Sequence, residues 1–315
     1  NKGSARSYEE AEVHDTAYFD GKTAQKTITD LQRLKETGQP FFLAAGFLKP
    51  HLPFNAPAKY WEMYPYESIE MPENPFFPET APEAARHNWG ELRSYVDIPK
   101  KGALSDSLAR KLIQGYYACV SYTDAQIGKI LNELESLGLK ENTIVVLWGD
   151  HGWNLGEHGL WCKHCNFHTA LKAPLIVRAP GMEGNMKVNS LVEFVDIYPS
   201  LCELAGLKKP LHIQGKSFVN LMNGETDQTR EAAYCRWIEG ESVKTDNYLY
   251  TEWFDNEGNV YARMLYDHRK DPKELVNVAE SPEYADVVKK LSQKIRENIQ
   301  TVNADGIEPE KENIH

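Results

Sequence analysis

Lys49 and His51 are the first residues whose types and spacing suggest chemistry. They share a short stretch with Pro50 and Pro53, which restrict the backbone and would fix the directions of both side chains. Held in this way, the two side chains could meet a ligand, and the imidazole could donate a proton to it. The alternative interpretation is a proline-rich surface turn with an exposed lysine and a packed histidine.

Asp150 and His151 form a second cluster, on a predicted tight turn between Gly149 and Gly152. Glycines on both sides let the backbone or a substrate approach closely, and the turn could direct the carboxylate and the imidazole toward one metal ion. The alternative is a turn aspartate that only accepts a hydrogen bond from a nearby backbone amide.

Lys163 and His164 belong to a local excess of basic and titratable groups downstream of that turn. The chain as a whole is acidic, with 35 Lys and Arg against 46 Asp and Glu and a formal net charge of -11. Because a locally positive cleft concentrates anions even when the net charge is unfavourable, these residues favour a bound phosphate or sulfate. A solvated loop with scattered charge is the alternative.

Each of the first two clusters directly follows a predicted buried strand. The apolar runs 41–47 and 143–148 are typical of strands that are covered on both faces. In open α/β sheets ligands bind in the crevice beyond the carboxyl ends of the strands, so the strand ends are the expected location of a site.

The remaining pattern predicts an open α/β sheet followed by a smaller α+β part. Helical periodicity predicts helices over 16–37, 105–137 and 196–205, and a further strand is expected over 174–178. The stretch 55–99 has no clean period and is interpreted as a long surface excursion. Beyond residue 230, short strands are predicted over 232–237, 248–254 and 260–266, before a final helix over 284–299. We therefore predict two domains, 1–229 and 230–315.

Composition excludes several broad classes of protein. With 315 residues, 41% of them hydrophobic, the chain is not disordered, and its acidic balance excludes a basic nucleic-acid-binding module. No run of roughly 18 apolar residues is present to cross a membrane. The five cysteines do not suggest a disulfide scaffold. Because the chain opens on Asn1 without a visible export signal, we expect a piece of a longer protein.

Three motifs together resemble the sulfatase family. They are Lys-Pro-His-Leu-Pro-Phe at 49–54, Asp-His-Gly-Trp-Asn-Leu-Gly-Glu-His-Gly at 150–159, and the Leu-Tyr-Asp and Asp-Pro elements within 265–277. The resemblance implies an alkaline-phosphatase-like α/β fold, an open mixed sheet flanked by helices, with a smaller carboxy-terminal subdomain made of an antiparallel sheet and a helix. It also implies hydrolysis of a sulfate ester.

Carried over position by position, the resemblance assigns roles to individual residues. Asp150 and His151 match calcium ligands, although Ca²⁺ prefers oxygen donors and His151 is therefore the less suitable of the two. Lys163 and His51 match residues that contact the sulfate and assist departure of the alcohol. The substrate-binding group is expected to be cationic and to comprise Lys49, His51, Lys163 and His164.

Two expected parts of a sulfatase site are missing from the sequence. The family makes a formylglycine from the cysteine of a Cys-x-Pro/Ala-x-Arg motif, and none of the five cysteines here continues in that way. No Asp-Asp pair is present either, so the carboxylates that complete the calcium site have no counterpart. We expect both parts in an amino-terminal segment of the same enzyme, which would act as a partner, and we expect the isolated chain to be inactive.

By resemblance, the expected substrate is a sulfated oligosaccharide, with the 2-O-sulfate of a uronic acid in heparan or dermatan sulfate as the specific case. The same resemblance implies an exported protein, whether periplasmic, lysosomal or extracellular. Two alternatives stay open: a phosphomonoester or phosphonate ester hydrolase of the same superfamily, and a non-catalytic sugar-binding remnant.

Overall fold

The computed structural model describes residues 5–304 of the chain. Its helices are α1 (Phe19–Thr37), α2 (Ala58–Trp61), α3 (Gly90–Arg93), α4 (Asp106–Ser136), α5 (His168–Leu171), α6 (Ile197–Leu204), α7 (Val219–Met222) and α8 (Ala285–Ala304). Its strands are β1 (Tyr8–Ala11), β2 (Phe54–Pro57), β3 (Val145–Trp148), β4 (Asn154–Leu155), β5 (Trp161–Cys162), β6 (Leu175–Arg178), β7 (Ala233–Trp237), β8 (Gly240–Lys244), β9 (Tyr248–Phe254) and β10 (Val260–Asp267).

The chain divides into two compact units. The first contains the described residues up to Pro75, together with Asn88–Val145 and Asn154–Cys162. The second contains Phe76–His87, Val146–Trp153 and the chain from Lys163 onward. The predicted domain division at residue 230 stays a prediction.

Two long helices organise the first unit, and both were predicted from the sequence. The hydroxyl of Ser105 accepts a hydrogen bond from the Leu108 amide at 3.3 Å, so the first turn of α4 is capped. Gly38 ends α1 in the left-handed conformation, with φ of 64°. The helix α1 begins at Phe19 rather than at residue 16, because a short 3₁₀ turn over Asp15–Ala17 precedes it.

Residues 55–75 and 88–99 contribute to the core of the first unit, so the interpretation of the segment 55–99 as a surface excursion was wrong. The side chains of Trp61, Ile69 and Leu92 are buried, and α4 packs against both α2 and β2. A Cβ added at Gly115 of α4 would lie 2.6 Å from the Trp61 ring. These anchors are spaced irregularly along the chain, which explains why no period revealed them.

The strand predicted over 41–47 does not form. Residues 41–48 have no regular secondary structure, and Phe42 is 85% exposed. A strand is stable only when its backbone groups pair with a neighbour, and no strand among the described residues pairs with this segment. The apolar pattern is present, but residues 5–304 do not provide the hydrogen-bonding partner that it requires.

In the second unit, β3 pairs with β6 as a two-stranded sheet, and both strands were predicted. Trp148 and Ile176 on these strands are 50% and 60% exposed. The predicted helix over 196–205 is α6, whose Ile197 packs with Phe218 and Leu221 in a small apolar cluster.

The last part of the second unit is a four-stranded antiparallel sheet in the order β10-β9-β8-β7. The helix α8 packs on one face of this sheet through a cluster that includes Val243, Tyr250, Leu265, Val288 and Leu291. The predicted strands and final helix are confirmed, with small shifts at their ends. The strand β8 was not predicted.

Two further properties concern the whole described chain. Within residues 5–304, no helix combines the length and the apolar character that a bilayer crossing requires. All five cysteines are free thiols.

Candidate active site

The loop that carries Lys49 and His51 is attached to the two long helices of the first unit. The buried carboxylate of Asp20 in α1 accepts hydrogen bonds from the backbone amides of Leu48, at 2.9 Å, and Lys49, at 2.8 Å. The hydroxyl of Thr123 in α4 donates to the Lys49 carbonyl at 3.3 Å. The start of the loop is therefore held by side chains from distant parts of the sequence.

The Lys49 ammonium group stabilises the loop through hydrogen bonds to carbonyl oxygens of the same loop. Its Nζ donates to the carbonyl oxygens of His51 at 3.0 Å and Pro53 at 2.5 Å. Burial lowers the pKa of Lys49, and burial also raises the pKa of the neighbouring Cys119 thiol to about 12. In the structure, Lys49 therefore stabilises the conformation of its own loop. The role of Lys49 in substrate binding stays a prediction.

Both ring nitrogens of His51 face oxygen acceptors. The Nδ1 atom lies 2.6 Å from the Leu52 carbonyl oxygen, and Nε2 lies 2.7 Å from the Glu91 carboxylate. These two contacts at opposite sides of the ring fix the orientation of the imidazole. The side chain is 45% exposed, which leaves the ring accessible. Glu91 was missed because it lies in α3, inside the segment that was interpreted as a surface excursion.

The turn after β3 is fixed by backbone hydrogen bonds within the second unit. The Gly149 amide donates to the Pro174 carbonyl at 3.1 Å, and the Gly152 amide donates to the Ala170 carbonyl at 2.7 Å. A Cβ added at Gly152 would lie 2.0 Å from the Thr169 carbonyl oxygen. Glycine is therefore required at position 152 for this close approach.

The turn brings Asp150 and His151 together. The His151 amide donates to Asp150 Oδ1 at 3.1 Å, and the His151 Nε2 atom lies 3.4 Å from Asp150 Oδ2. The other ring nitrogen lies 2.8 Å from the Gly152 carbonyl oxygen. The Asp150 side chain is 84% exposed, so its carboxylate oxygens are accessible.

Trp153 is a common neighbour of His151 and Lys163. The His151 ring stacks on the Trp153 ring with centroids 6.1 Å apart and an interplanar angle of 27°. The Lys163 Nζ lies 5.0 Å from the centroid of the same ring, which is cation–π distance. The tryptophan was visible in the sequence as part of the Asp-His-Gly-Trp motif, but its role as a platform was not predicted.

His164 lies among aromatic rings of the second unit. Its ring centroid is 4.9 Å from that of Trp237 in β7, at an interplanar angle of 34°, and 6.0 Å from that of His87, at 89°. The neighbouring side chains therefore fix the orientation of the imidazole.

The residues present do not form a calcium site by themselves. Ca²⁺ takes six to eight oxygen ligands, whereas Asp150 supplies one carboxylate and His151 supplies nitrogen. Over residues 5–304 the structure has no group of three or more His, Cys, Asp or Glu side chains placed to hold a metal ion. The assignment of Asp150 and His151 as calcium ligands stays a prediction that requires further donors.

The predicted site residues fall into two sets. The first compact unit contains Lys49 and His51, and the second contains Asp150, His151, Lys163 and His164. Within each set the side chains share neighbours, as described above.

Comparison with protein families gives two overlapping matches. A family model described as Sulfatase matches residues 1–207, and a model described as N-sulphoglucosamine sulphohydrolase, C-terminal, matches residues 156–301. The first match covers all six predicted site residues.

Curated relatives and solved structures agree with these matches. Iduronate 2-sulfatase of Mus musculus is 34% identical over 231 residues, covering 64% of this chain and 42% of the relative. A structure solved with its substrate D-glucosamine-2-N,6-O-disulfate covers 92% of this chain and 72% of that one, with a TM-score of 0.74 and 22% identity. Phosphonate monoester hydrolase from Silicibacter pomeroyi covers 93% of this chain and 61% of that one, with a TM-score of 0.76 and 21% identity.

The two structural matches confirm the predicted alkaline-phosphatase-like α/β fold. The chain spans about half the length of the curated relatives that it matches.

Proposed function

The chain belongs to the sulfatase family, and on that premise we propose that it takes part in the hydrolysis of sulfate esters on sugars. In this proposal the chain supplies part of the catalytic site, and residues outside the printed sequence supply the rest. The observation that supports it most is the arrangement around Trp153, where Lys163 and the Asp150-His151 turn meet at one aromatic ring.

Lys163 is proposed to bind the sulfate group. Its ammonium charge is positioned by Trp153 instead of moving freely in solvent. A fixed positive charge stabilises the negative charge that develops on the sulfuryl oxygens in the transition state, and it does so without reorganisation at the moment of reaction. His164, held against Trp237, is proposed to contact the sulfated sugar nearby in the same unit.

His51 is proposed to protonate the oxygen of the departing alcohol. Its ring is oriented by contacts with the Leu52 carbonyl and the Glu91 carboxylate. A positioned imidazolium is an efficient general acid near neutral pH. In this proposal Lys49 stabilises the loop that carries the His51 ring.

Calcium and formylglycine are proposed to depend on residues outside this sequence. Sulfatases use both groups, and Asp150 with His151 would supply only part of a metal site. A divalent ion bound there would neutralise charge on the sulfate oxygens. The complete site therefore needs both the carboxylates and the modified cysteine of the segment that this sequence does not include.

The proposed substrate is the 2-O-sulfate of a uronic acid in a glycosaminoglycan fragment, and the proposed location is an exported compartment. The name of the mouse relative, Iduronate 2-sulfatase, supports the substrate. The second candidate is a phosphonate or phosphomonoester hydrolase, which the likeness to the enzyme from Silicibacter pomeroyi brings into consideration. That likeness is one of fold alone.

An assay of two proteins tests the proposal. The printed chain and the longer gene product that contains it are each incubated with a disaccharide 2-O-sulfated on its uronic acid, with a 6-O-sulfated isomer, and with an aryl phosphonate monoester. We expect sulfate release from the 2-O-sulfated disaccharide by the longer protein alone. Robust turnover by the printed chain would contradict the divided site, and a preference for the phosphonate would contradict the sulfatase assignment.

A further inference from the structure

The turn between β7 and β8 has a strained backbone and an exposed apolar tip. Trp237 at the end of β7 pairs with Gly240 at the start of β8, so only Ile238 and Glu239 form the turn. Ile238 has a φ of 52° and is 58% exposed. Glycine or asparagine would close such a turn without strain. A β-branched residue at positive φ is an outlier, and strain of this kind concentrates at active sites and ligand-binding segments.

The loop that carries Lys163 and His164 is attached to this hairpin within the second unit. The buried side-chain amide of Asn166 donates to the Gly240 carbonyl at 3.2 Å and to the Ser242 hydroxyl at 2.9 Å. A Cβ added at Gly240 would lie 3.0 Å from Asn166 Oδ1, so the two segments approach closely. Because Asn166 lies three residues after Lys163, these contacts fix the hairpin relative to the proposed sulfate-binding residue.

Three rings lie side by side next to Lys163. The His164 ring contacts both Trp237 and His87, with centroids 4.9 and 6.0 Å away, and all three residues are partly exposed. One face of a sugar ring presents C–H groups, which pack on aromatic faces, while indole and imidazole nitrogens form hydrogen bonds with hydroxyl groups. Aromatic surface with a few polar atoms is typical of small-molecule sites.

We propose that Trp237 packs against the sugar ring whose sulfate group is bound by Lys163, and that this contact selects sulfated sugars over other sulfate esters. The inference rests on the proposed hydrolysis of sulfate esters. His164 follows Lys163 directly, and its ring lies against Trp237, so a sugar with its sulfate at the Lys163 ammonium group has these rings beside it. The exposed tip at Ile238 borders the same surface.

Titration of the printed chain with a disaccharide 2-O-sulfated on its uronic acid, and with inorganic sulfate, tests the proposal. We expect Trp237→Ala to weaken disaccharide binding about tenfold and to leave the affinity for inorganic sulfate unchanged, because the aromatic surface is lost while Lys163 is intact. Trp237→Phe retains a ring and should keep most of the affinity. Absence of saturable disaccharide binding, unchanged affinity in folded Trp237→Ala protein, or an equal loss for both ligands overturns the proposal.

A second variant decides the outcome if Trp237→Ala does not fold. Ile238→Asp places a carboxylate at the exposed tip, and aspartate tolerates positive φ better than isoleucine, so the hairpin should still form. The added negative charge should weaken binding of the anionic disaccharide severalfold, and less so at high ionic strength. Leu211→Asp, at a residue of the same unit that is 98% exposed, is the matched control and should leave binding unchanged. Unchanged affinity in Ile238→Asp also overturns the proposal.

Failure of this inference and failure of the proposed function give different results. Binding that depends on Trp237, without sulfate release by the longer gene product, would contradict the hydrolysis and support the sugar contact. Sulfate release by that protein, with disaccharide binding that is indifferent to Trp237, would overturn the sugar contact alone.

Discussion

Single side chains carry the proposed chemistry, and each depends on a neighbour that does not react. Lys163 is positioned by Trp153, and His51 is positioned by Glu91. Because these neighbours set the geometry, substitution of Lys163 or His51 should lower activity without a comparable loss of stability.

We expect Lys163→Ala to lower sulfate release by the longer enzyme about a hundredfold or more, because a fixed positive charge next to the developing sulfuryl charge is lost. The midpoint of thermal unfolding should change little, since Lys163 is partly exposed and a cation–π contact contributes only about 0.5–1 kcal/mol. Steady-state kinetics with thermal denaturation measure both. Lys187→Ala, at an exposed loop position, is the control. Wild-type kinetics in Lys163→Ala would remove this residue from the site.

His168 makes stability depend on pH. Burial lowers its pKa from about 6.5 to about 4, and the ring lies 5.0 Å from that of His268. The unfolded chain therefore binds a proton at higher pH than the folded chain, so stability should fall as the pH decreases from about 6.5 to about 4. Allowing for partial exposure of the ring, we expect a loss of about 2 kcal/mol.

Urea unfolding of His168→Gln measures this effect. The variant should show a flatter dependence of the unfolding free energy on pH in that interval than the parent chain. His14→Gln, at an exposed histidine, should keep the parent dependence. An identical acid-induced loss in the parent chain and in His168→Gln would show that His168 is not responsible.

At the scale of elements, the helices could be predicted because their signals are local. The Ser105 cap of α4 and the left-handed Gly38 after α1 are read directly from neighbouring residues. The run 41–47 has a strand pattern, yet a strand also needs a partner that local sequence does not reveal. Likewise β8 has a single large apolar residue, Val243, among glycine and polar residues, and it is specified by its neighbours β7 and β9.

Local sequence patterns also limited what could be predicted of the site. The residues Lys49, His51, Asp150 and His151 were found because each pair occurs in one short motif. Glu91 was not found, because its contact with His51 depends on how α3 packs and not on any spacing in the sequence.

Two glycines of α4 should respond oppositely to alanine. A Cβ at Gly115 would lie 2.6 Å from the buried Trp61 ring, so Gly115→Ala should destabilise the chain by about 1–3 kcal/mol through overpacking. Gly128 has no atom within 4 Å of an added Cβ, so Gly128→Ala should stabilise by about 0.5–1 kcal/mol. Denaturant unfolding of the two variants compares them within one helix. Equal effects would refute the packing argument.

At the scale of the whole molecule, each of the two compact units exposes large apolar side chains. Phe42 is 85% exposed, and Ile176 on β6 is 60% exposed. Exposed apolar groups of this kind mark interaction surfaces. On the proposal that an amino-terminal segment completes the enzyme, we expect that segment to cover the exposed apolar run around Phe42.

Under this proposal, we expect the printed chain to bind the dye ANS, and we expect the dye signal to fall when the proposed amino-terminal segment is co-expressed with it. Phe42→Ser should weaken this assembly, whereas Phe19→Ser, at a phenylalanine that is 72% exposed at the start of α1, should not. Dye fluorescence and co-purification measure the two effects. Unchanged dye binding in the presence of the proposed amino-terminal segment would count against docking at this surface.

The attachment of the Lys49 loop to Asp20 affects how variants should be classified. The buried Asp20 carboxylate accepts hydrogen bonds from the backbone amides of Leu48 and Lys49, which begin this loop. Under the proposed function, a screen that scores activity alone would group Asp20 variants with His51 variants, although their imidazole is intact. A loss of activity in an Asp20 variant should therefore be interpreted as a loss of the position of the loop, with the His51 side chain still present.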